Sequence, residues 1–187
     1  MARSKLPAKR LPPRTSTVPD LAMKLKIAAA VAVLVLAVAG FFVFTQKPAA
    51  PDVAFSTLQG QSFRTADLRG KVVLVNFWAT TCTSCIKEMP ALKATQEKFE
   101  ARGYRTVAVA MDYDPLAQVA AFVERSALPF TFVHDRDGSI ARGFEGVRLT
   151  PTSYVLDKRG QIVQKILGEP DFDKLHRLLD QLLAEPA

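Results

Sequence analysis

The sequence predicts an α/β fold in which helices flank a mixed central sheet, with one transmembrane helix ahead of it. Residues 72–77 form an apolar run rich in valine, which is typical of a strand buried on both faces. Residues 27–44 form a second apolar run, unbroken over 18 residues with Gly40 included. Directly after the predicted strand, apolar residues recur at helical spacing and predict an amphipathic helix whose inner face carries Ile86, Met89, Leu92 and Phe99.

The positive charge of the chain is concentrated near its N-terminus. The 187 residues carry a net charge of +7. Residues 1–45 hold seven Lys and Arg against one Asp, a net of +6, whereas residues 46–187 are nearly neutral at +1. A nucleic-acid-binding domain would need a basic patch in its folded part, so we expect no nucleic-acid partner. Residues 1–26 are basic and rich in proline, and we predict a disordered cytoplasmic tail there.

The N-terminal apolar run predicts a membrane anchor. A helix of this length extends roughly 27 Å, close to the ~30 Å thickness of a hydrocarbon core. We assign a transmembrane helix to residues 27–45, and the positive charge before it predicts that the C-terminal domain crosses the membrane. A cleaved signal peptide is the alternative, although Ala49-Ala50 followed by Pro51 suits a signal peptidase badly. Residues 46–51 are then a short semi-rigid linker and residues 52–185 the folded domain.

Turn signals and periodicity predict the remaining elements in order. Residues 53–63 form a predicted hairpin around Gln59-Gly60. A second buried strand is predicted over 105–111, and Asp114-Pro115 is a favourable N-cap and first residue for a helix that runs to about residue 126. The other predicted elements are a strand at 129–133, a short helix at 140–144, paired strands at 152–156 and 161–167, and a last helix at 171–183.

Cys82 and Cys85, the only cysteines in the chain, lie where the central strand meets the following helix. At a helix N-terminus, free N–H groups and the helix dipole stabilise a thiolate on the first cysteine. The second cysteine lies one turn further on, close enough to form a disulfide. We predict that Cys82 attacks a partner's disulfide and that Cys85 resolves the mixed disulfide. We expect no zinc site, because a closed zinc site needs four ligands and neither histidine has ligand spacing.

The segment Asn76-Phe-Trp-Ala79, followed by Cys82-x-x-Cys85 and then Pro90, resembles the thioredoxin superfamily. Glu88 and the single anchor narrow the resemblance to its membrane-tethered TlpA/ResA-like branch. Over residues 50–185 the resemblance implies a thioredoxin-like fold with an N-terminal hairpin and an αβ insertion near 112–133.

The resemblance also implies a thiol-disulfide oxidoreductase that needs no cofactor and no metal. In such an enzyme the backbone of the residue before a cis-proline pairs with an extended client peptide. Here that peptide bond is Thr150-Pro151. The implied substrate-binding residues are Trp78, Thr81, Thr150 and Pro151.

Glu88 has two interpretations, since it lies one turn beyond Cys85 on the predicted helix. It is either a solvated helix charge or a carboxyl group that shuttles a proton during exchange. The second gains support because Asn76 occupies the position of the buried acid of thioredoxins. The chain also has Thr81 where the family usually has Trp, and no proline between the cysteines. These departures leave the direction of electron flow open.

The sequence therefore predicts an oxidoreductase, acting as a reductase of protein clients on the periplasmic side of a bacterial inner membrane. By resemblance, a membrane thiol carrier would supply electrons, and clients would include apocytochrome c or copper-site assembly proteins. A peroxiredoxin-like peroxidase is one alternative, although position 79 is Ala where a peroxidatic Cys82 would need Thr. A copper(I) metallochaperone that uses the same two thiolates is another.

Overall fold

The computed structural model describes residues 21–44 and 47–186. Helix α1 (Leu21–Phe44) and the part from residue 47 onward are two separate units. Helix α1 begins inside the predicted tail; residues 1–20 of that tail, and positions 45 and 46, lie outside the described residues. None of the described helices combines the length and the apolar character needed to cross a membrane. The transmembrane span at 27–45 stays a prediction from the sequence.

Residues 47–186 form seven strands and four α-helices. The strands are β1 (Ala54–Ser56), β2 (Ser62–Arg64), β3 (Val72–Trp78), β4 (Tyr104–Ala110), β5 (Thr131–His134), β6 (Thr152–Leu156) and β7 (Ile162–Leu167). The helices are α2 (Thr83–Phe99), α3 (Leu116–Ser126), α4 (Ser139–Gly143) and α5 (Phe172–Ala184).

The central sheet is mixed, with strand order β5-β4-β3-β6-β7. Strands β3, β4 and β5 run parallel, while β6 pairs antiparallel with both β3 and β7. Strands β1 and β2 form a separate antiparallel hairpin. The predicted α/β fold, its N-terminal hairpin and its αβ insertion, here α3 and β5, are confirmed.

Strand β3 occupies the centre of the sheet, and its side chains enter two cores on opposite faces. Its even-numbered residues pack on the face covered by α2, α3 and α5, and its odd-numbered residues on the face covered by α4 and the hairpin. All seven residues are buried, which explains why the sequence is continuously apolar rather than alternating. Asn76, an even-numbered residue, therefore lies on the α2 face.

The start of α3 differs from the prediction. Pro115, not Asp114, is the N-cap of the helix, and no side chain caps it. The Asp114 carboxylate is buried and accepts its hydrogen bonds from Thr80, 34 residues earlier in the chain. The hydrogen bonds from Thr80 therefore replace the capping bond within α3 that the sequence predicted for Asp114.

The predicted linker at 46–51 is partly held against the sheet. Ala50 N–H donates to the Gly160 carbonyl at 2.9 Å, and Ile162 N–H donates to the Pro48 carbonyl at 2.8 Å. Residues 48–50 thus extend the edge at β7 instead of running free of the folded part.

Candidate active site

The two cysteines lie at the edge of the sheet where several connections meet. Trp78, the last residue of β3, pairs with Ala110, the last residue of β4, while Phe77 pairs with Thr152, the first residue of β6. The loop from β3 to α2, the start of α3 and the loop before β6 therefore share one edge of the sheet. Strand β7 also ends there, because Leu167 pairs with Thr152.

Cys82 and Cys85 form a disulfide with an S–S distance of 2.08 Å. Cys82 is the N-cap of α2, and its sulfur accepts a hydrogen bond from the Cys85 backbone N–H at 3.2 Å. Cys82 is half-buried, whereas Cys85 is fully buried. A partner molecule can therefore reach the first sulfur but not the second.

Glu88 lies on the buried side of α2. Its side chain is nearly inaccessible, with a relative exposure of 1% for the residue, so the interpretation as a solvated charge is wrong. Burial raises the pKa of Glu88 from its ordinary value of 4.5 to about 7. The hydrogen bond from Asn76 opposes that rise, and the nearby charge of Glu169 adds to it. Glu88 consequently changes its charge near neutral pH.

A short polar network holds the Glu88 carboxyl group in the apolar interior. The Asn76 amide nitrogen donates to Glu88 Oε1 at 2.9 Å and to Ser153 Oγ at 3.0 Å. Asn76 and Ser153 are both fully buried, on the neighbouring strands β3 and β6. Glu88 Oε2 has no hydrogen-bond partner among the described residues. The second oxygen is thus available to carry or accept a proton.

Asp114 fixes the loop that leads into Cys82, and sequence reasoning missed this role. Thr80 donates its backbone N–H to Asp114 Oδ2 at 2.5 Å and its hydroxyl to Asp114 Oδ1 at 2.6 Å. On the other side, His134 donates from Nε2 to the Asp114 carbonyl at 2.7 Å. The Asp-Pro pair was the signal in the sequence, but local rules assigned the carboxylate to its own helix.

The four predicted substrate-binding residues differ in accessibility. Thr81 is exposed, Thr150 is half-buried, and Pro151 is buried. The Thr150-Pro151 bond is cis, as the resemblance implied. Trp78 is fully buried and packs against Phe122 and Phe132, so the predicted client contact of this residue is wrong. Its large apolar ring is stabilised by the core beneath the site rather than by a client.

No group of three or more His, Cys, Asp or Glu side chains is arranged to hold a metal ion within the described ranges. The Cys82–Cys85 disulfide and the buried carboxyl group of Glu88 are the groups at this edge that suit thiol chemistry. Together they supply a nucleophile, a resolving thiol and a proton carrier for thiol chemistry.

Comparison with known proteins places this geometry among thiol-exchange proteins. Residues 45–182 match the Redoxin family. The chain is similar to the thiol-disulfide oxidoreductase ResA of Bacillus anthracis, with 34% identity over 76% of this chain and 84% of that protein. It is also similar to ResA of Geobacillus kaustophilus, with 31% identity over 85% and 96% of the two chains. A thiol:disulfide interchange protein of Chlorobium tepidum has a similar structure, with a TM-score of 0.67 and 26% identity over 75% and 99%.

Proposed function

We propose a specific function from one premise: the chain belongs to the Redoxin family, and it is a thioredoxin-like thiol-disulfide oxidoreductase. In the reaction that we propose, the reduced protein transfers two electrons to a disulfide in a protein client. The unequal access to the two sulfurs is the observation that carries this proposal. Only Cys82 can meet a client, and only Cys85 is positioned to attack the Cys82 sulfur afterwards.

The exchange then proceeds in two balanced steps. The Cys82 thiolate attacks one client sulfur, and the other client sulfur leaves as a thiolate that takes up a proton from solvent. Cys85 next gives its proton to the Glu88 carboxylate and attacks Cys82, which forms the internal disulfide and breaks the mixed one. The second client thiolate is released and protonated. Glu88 suits this role because it is buried, lies at i+3 from Cys85 on the same side of α2, and has a pKa of about 7.

Exposed apolar side chains around the disulfide favour a protein as the client. From residue 47 onward, the large apolar side chains that the structure describes as exposed are Tyr113, Leu116, Leu149 and Leu167. All four lie at the strand ends that surround Cys82. Exposed apolar side chains gathered at one edge of a sheet are typical of a protein interaction site.

Turnover of a protein disulfide tests this proposal directly. The wild-type protein, with dithiothreitol as electron source, should accelerate the reduction of insulin, whereas Cys82→Ser should not. Peroxide consumption that depends on Cys82, without insulin reduction, would favour the peroxidase alternative. Stoichiometric copper(I) binding without insulin reduction would favour the metallochaperone.

We further propose that the protein is a reductase tethered to a bacterial inner membrane, with its redox domain in the periplasm. The sequence supports this through the apolar run at 27–44 and the excess of positive charge before it. Because the periplasm is oxidising, a reductase there needs electrons from a membrane thiol donor. A periplasm-active reporter fused after Ala187 should be active, and the mature protein should keep its N-terminal tail. A mature N-terminus near Pro51 would contradict the anchor.

A further inference from the structure

A groove lies between the loop that leads into Cys82 and helix α3. It has a volume of about 520 Å³, within the range of roughly 300–1,000 Å³ that is usual for binding sites. Thr80 and Thr81 form the wall that leads into Cys82, and residues of α3 form the opposite wall. Thr81 directly precedes Cys82 in the chain, so the groove begins one residue from the attacking cysteine.

The floor of the groove is apolar and firmly supported. Ile86 and Phe122 are partly buried and pack against the core. Phe122 lies with its ring centroid 5.0 Å from that of the fully buried Trp78. On the opposite wall, Ala117 and Ala121 are one turn apart and carry small side chains. The groove therefore has a fixed apolar base with room above it.

One charged side chain stands at the end of this groove. Arg125 follows Ala121 by one turn on α3 and is the only charged residue of the eight that line the groove. It is exposed and makes no salt bridge and no side-chain hydrogen bond with any other described residue. The Asp114 carboxylate, which accepts a hydrogen bond from Thr80 in the groove wall, is itself buried. The groove thus presents to its occupant a positive charge that forms no salt bridge within the described part of the chain.

We propose that this groove binds the stretch of client chain next to the client cysteine. An apolar client side chain packs on Ile86 and Phe122, and an Asp or Glu of the client pairs with Arg125. This inference rests on the proposed function, and it assigns that function a class of substrate. The preferred clients carry an apolar residue and then an acidic residue within a few positions of the reactive cysteine.

Peptide disulfides provide the test. Each peptide contains one cysteine and is oxidised to its symmetrical dimer, so that every attack by Cys82 releases one peptide thiol. A panel places Glu, Gln or Lys at each position two to four residues from the cysteine, with Leu fixed between the cysteine and the varied residue. The kcat/KM of the full-length protein in lipid nanodiscs is measured for each peptide. At one position or more, Glu should be preferred over Lys by roughly three- to ten-fold, the range for a partly solvated ion pair and its reversal.

Two variants connect that preference to the groove. Arg125→Glu should invert it, whereas Arg177→Glu, which replaces an exposed arginine on α5, should leave it unchanged. Ala121→Trp should fill the groove and raise KM for the preferred peptide several-fold, while the alkylation rate of Cys82 by iodoacetamide stays the same.

The possible failures are distinguishable. If all peptides are reduced at equal rates, or if Arg125→Glu keeps the wild-type preference, the groove inference is overturned and the oxidoreductase function stands. If no peptide is reduced, the proposed function itself fails. Concentration-dependent self-association that Arg125→Glu abolishes would overturn the inference in favour of a second copy of this chain as the occupant.

Discussion

The two cysteines lie one helical turn apart, yet their surroundings differ sharply. On the Cys82 side, the structure has an exposed Thr81, an apolar groove and several exposed apolar side chains. On the Cys85 side, the sulfur is fully buried, and one turn further along α2 Glu88 joins a buried polar network with Asn76 and Ser153. The first turn of α2 thus separates a surface that can recognise clients from an interior that can hold a proton. Each prediction below perturbs one of these two sides.

The largest effect is expected from loss of the exposed sulfur. Cys82→Ser removes the only sulfur that a client can reach, so turnover of a model protein disulfide should fall by at least about 10³-fold. Insulin reduction monitored by turbidity measures this loss. Retention of substantial turnover by the variant would mean that Cys85 is accessible in solution, against the structure.

The next largest effect is expected on the buried side. Glu88→Gln keeps the shape of the side chain but cannot carry the proton, and exchange at pH 7 should slow by roughly 10²-fold. In the wild type, the rate of thiol-disulfide exchange should change in a step near pH 7, because the pKa of Glu88 is about 7. This step should disappear in the variant. Glu97→Gln, on the exposed part of the same helix, is the matched control. Identical pH profiles for the wild type and Glu88→Gln would exclude a proton-carrying role.

The same carboxyl group makes native stability depend on pH. In the folded state the pKa of Glu88 is about 7, above its ordinary value of 4.5, so the folded state holds the proton more tightly than the unfolded state. The stability from this group is fully present below pH 4.5 and is lost as pH rises through 7. Denaturant midpoints of the oxidised protein should fall over this window, and Glu88→Gln should flatten that decline. An equally steep decline in the variant would mean that other titratable groups cause the loss of stability.

A smaller effect is expected from the loop ahead of Cys82. Asp114→Ala leaves the Thr80 N–H and hydroxyl without their acceptor, so the loop should loosen and exchange should slow by about ten-fold, as when a catalytic group is less well positioned. Hydrogen exchange of the Thr80 amide should accelerate in parallel. Asp114→Asn keeps one acceptor oxygen and should recover part of the rate, while Asp112→Asn, at an exposed neighbouring position, should behave as wild type. Unchanged hydrogen exchange of the Thr80 amide in Asp114→Ala would contradict the role of Asp114 in holding this loop.

The smallest effect is expected from a charge outside the buried network. Glu169 raises the pKa of Glu88 and lies 3.6 Å from Lys87 Nζ on the surface. Glu169→Gln should therefore shift the pH step of the exchange rate slightly downward without lowering its maximum. Glu145→Gln, which removes an exposed carboxylate paired with Lys165, should not shift the step. A shift of equal size in both variants would indicate a general effect of charge.

Local sequence patterns were enough to predict the strand and the helix that position the two cysteines. The continuous apolar run of β3 and the helical spacing after it placed Cys82 at the start of α2, because buried strands and amphipathic helices leave strong periodic signals. The contacts that define each side of the site were harder to predict. The spacing of Glu88 left two interpretations open, and only its burial and its hydrogen bond from Asn76 on β3 decide between them.

Asp114 and Trp78 show the limit of local reasoning most clearly. The Asp-Pro pair satisfies every rule for a helix start, yet the carboxylate bonds to Thr80 because the parallel pairing of β3 and β4 brings the two loops together. The resemblance implied that Trp78 binds the client, but its ring lies in the core on the face of β3 that α2, α3 and α5 cover. Both outcomes depend on which strands and helices pack together, which a single sequence does not reveal.

Trapping of mixed disulfides tests the division between the two sides most directly. Full-length Cys85→Ser and Cys82→Ser are expressed separately, free thiols are blocked at lysis, and disulfide-linked adducts are identified by mass. Cys85→Ser should accumulate client proteins on Cys82, because attack proceeds while resolution is lost. Cys82→Ser should accumulate none, because Cys85 is buried. Adducts on Cys82→Ser but not on Cys85→Ser would reverse the roles of the two sulfurs and contradict this account.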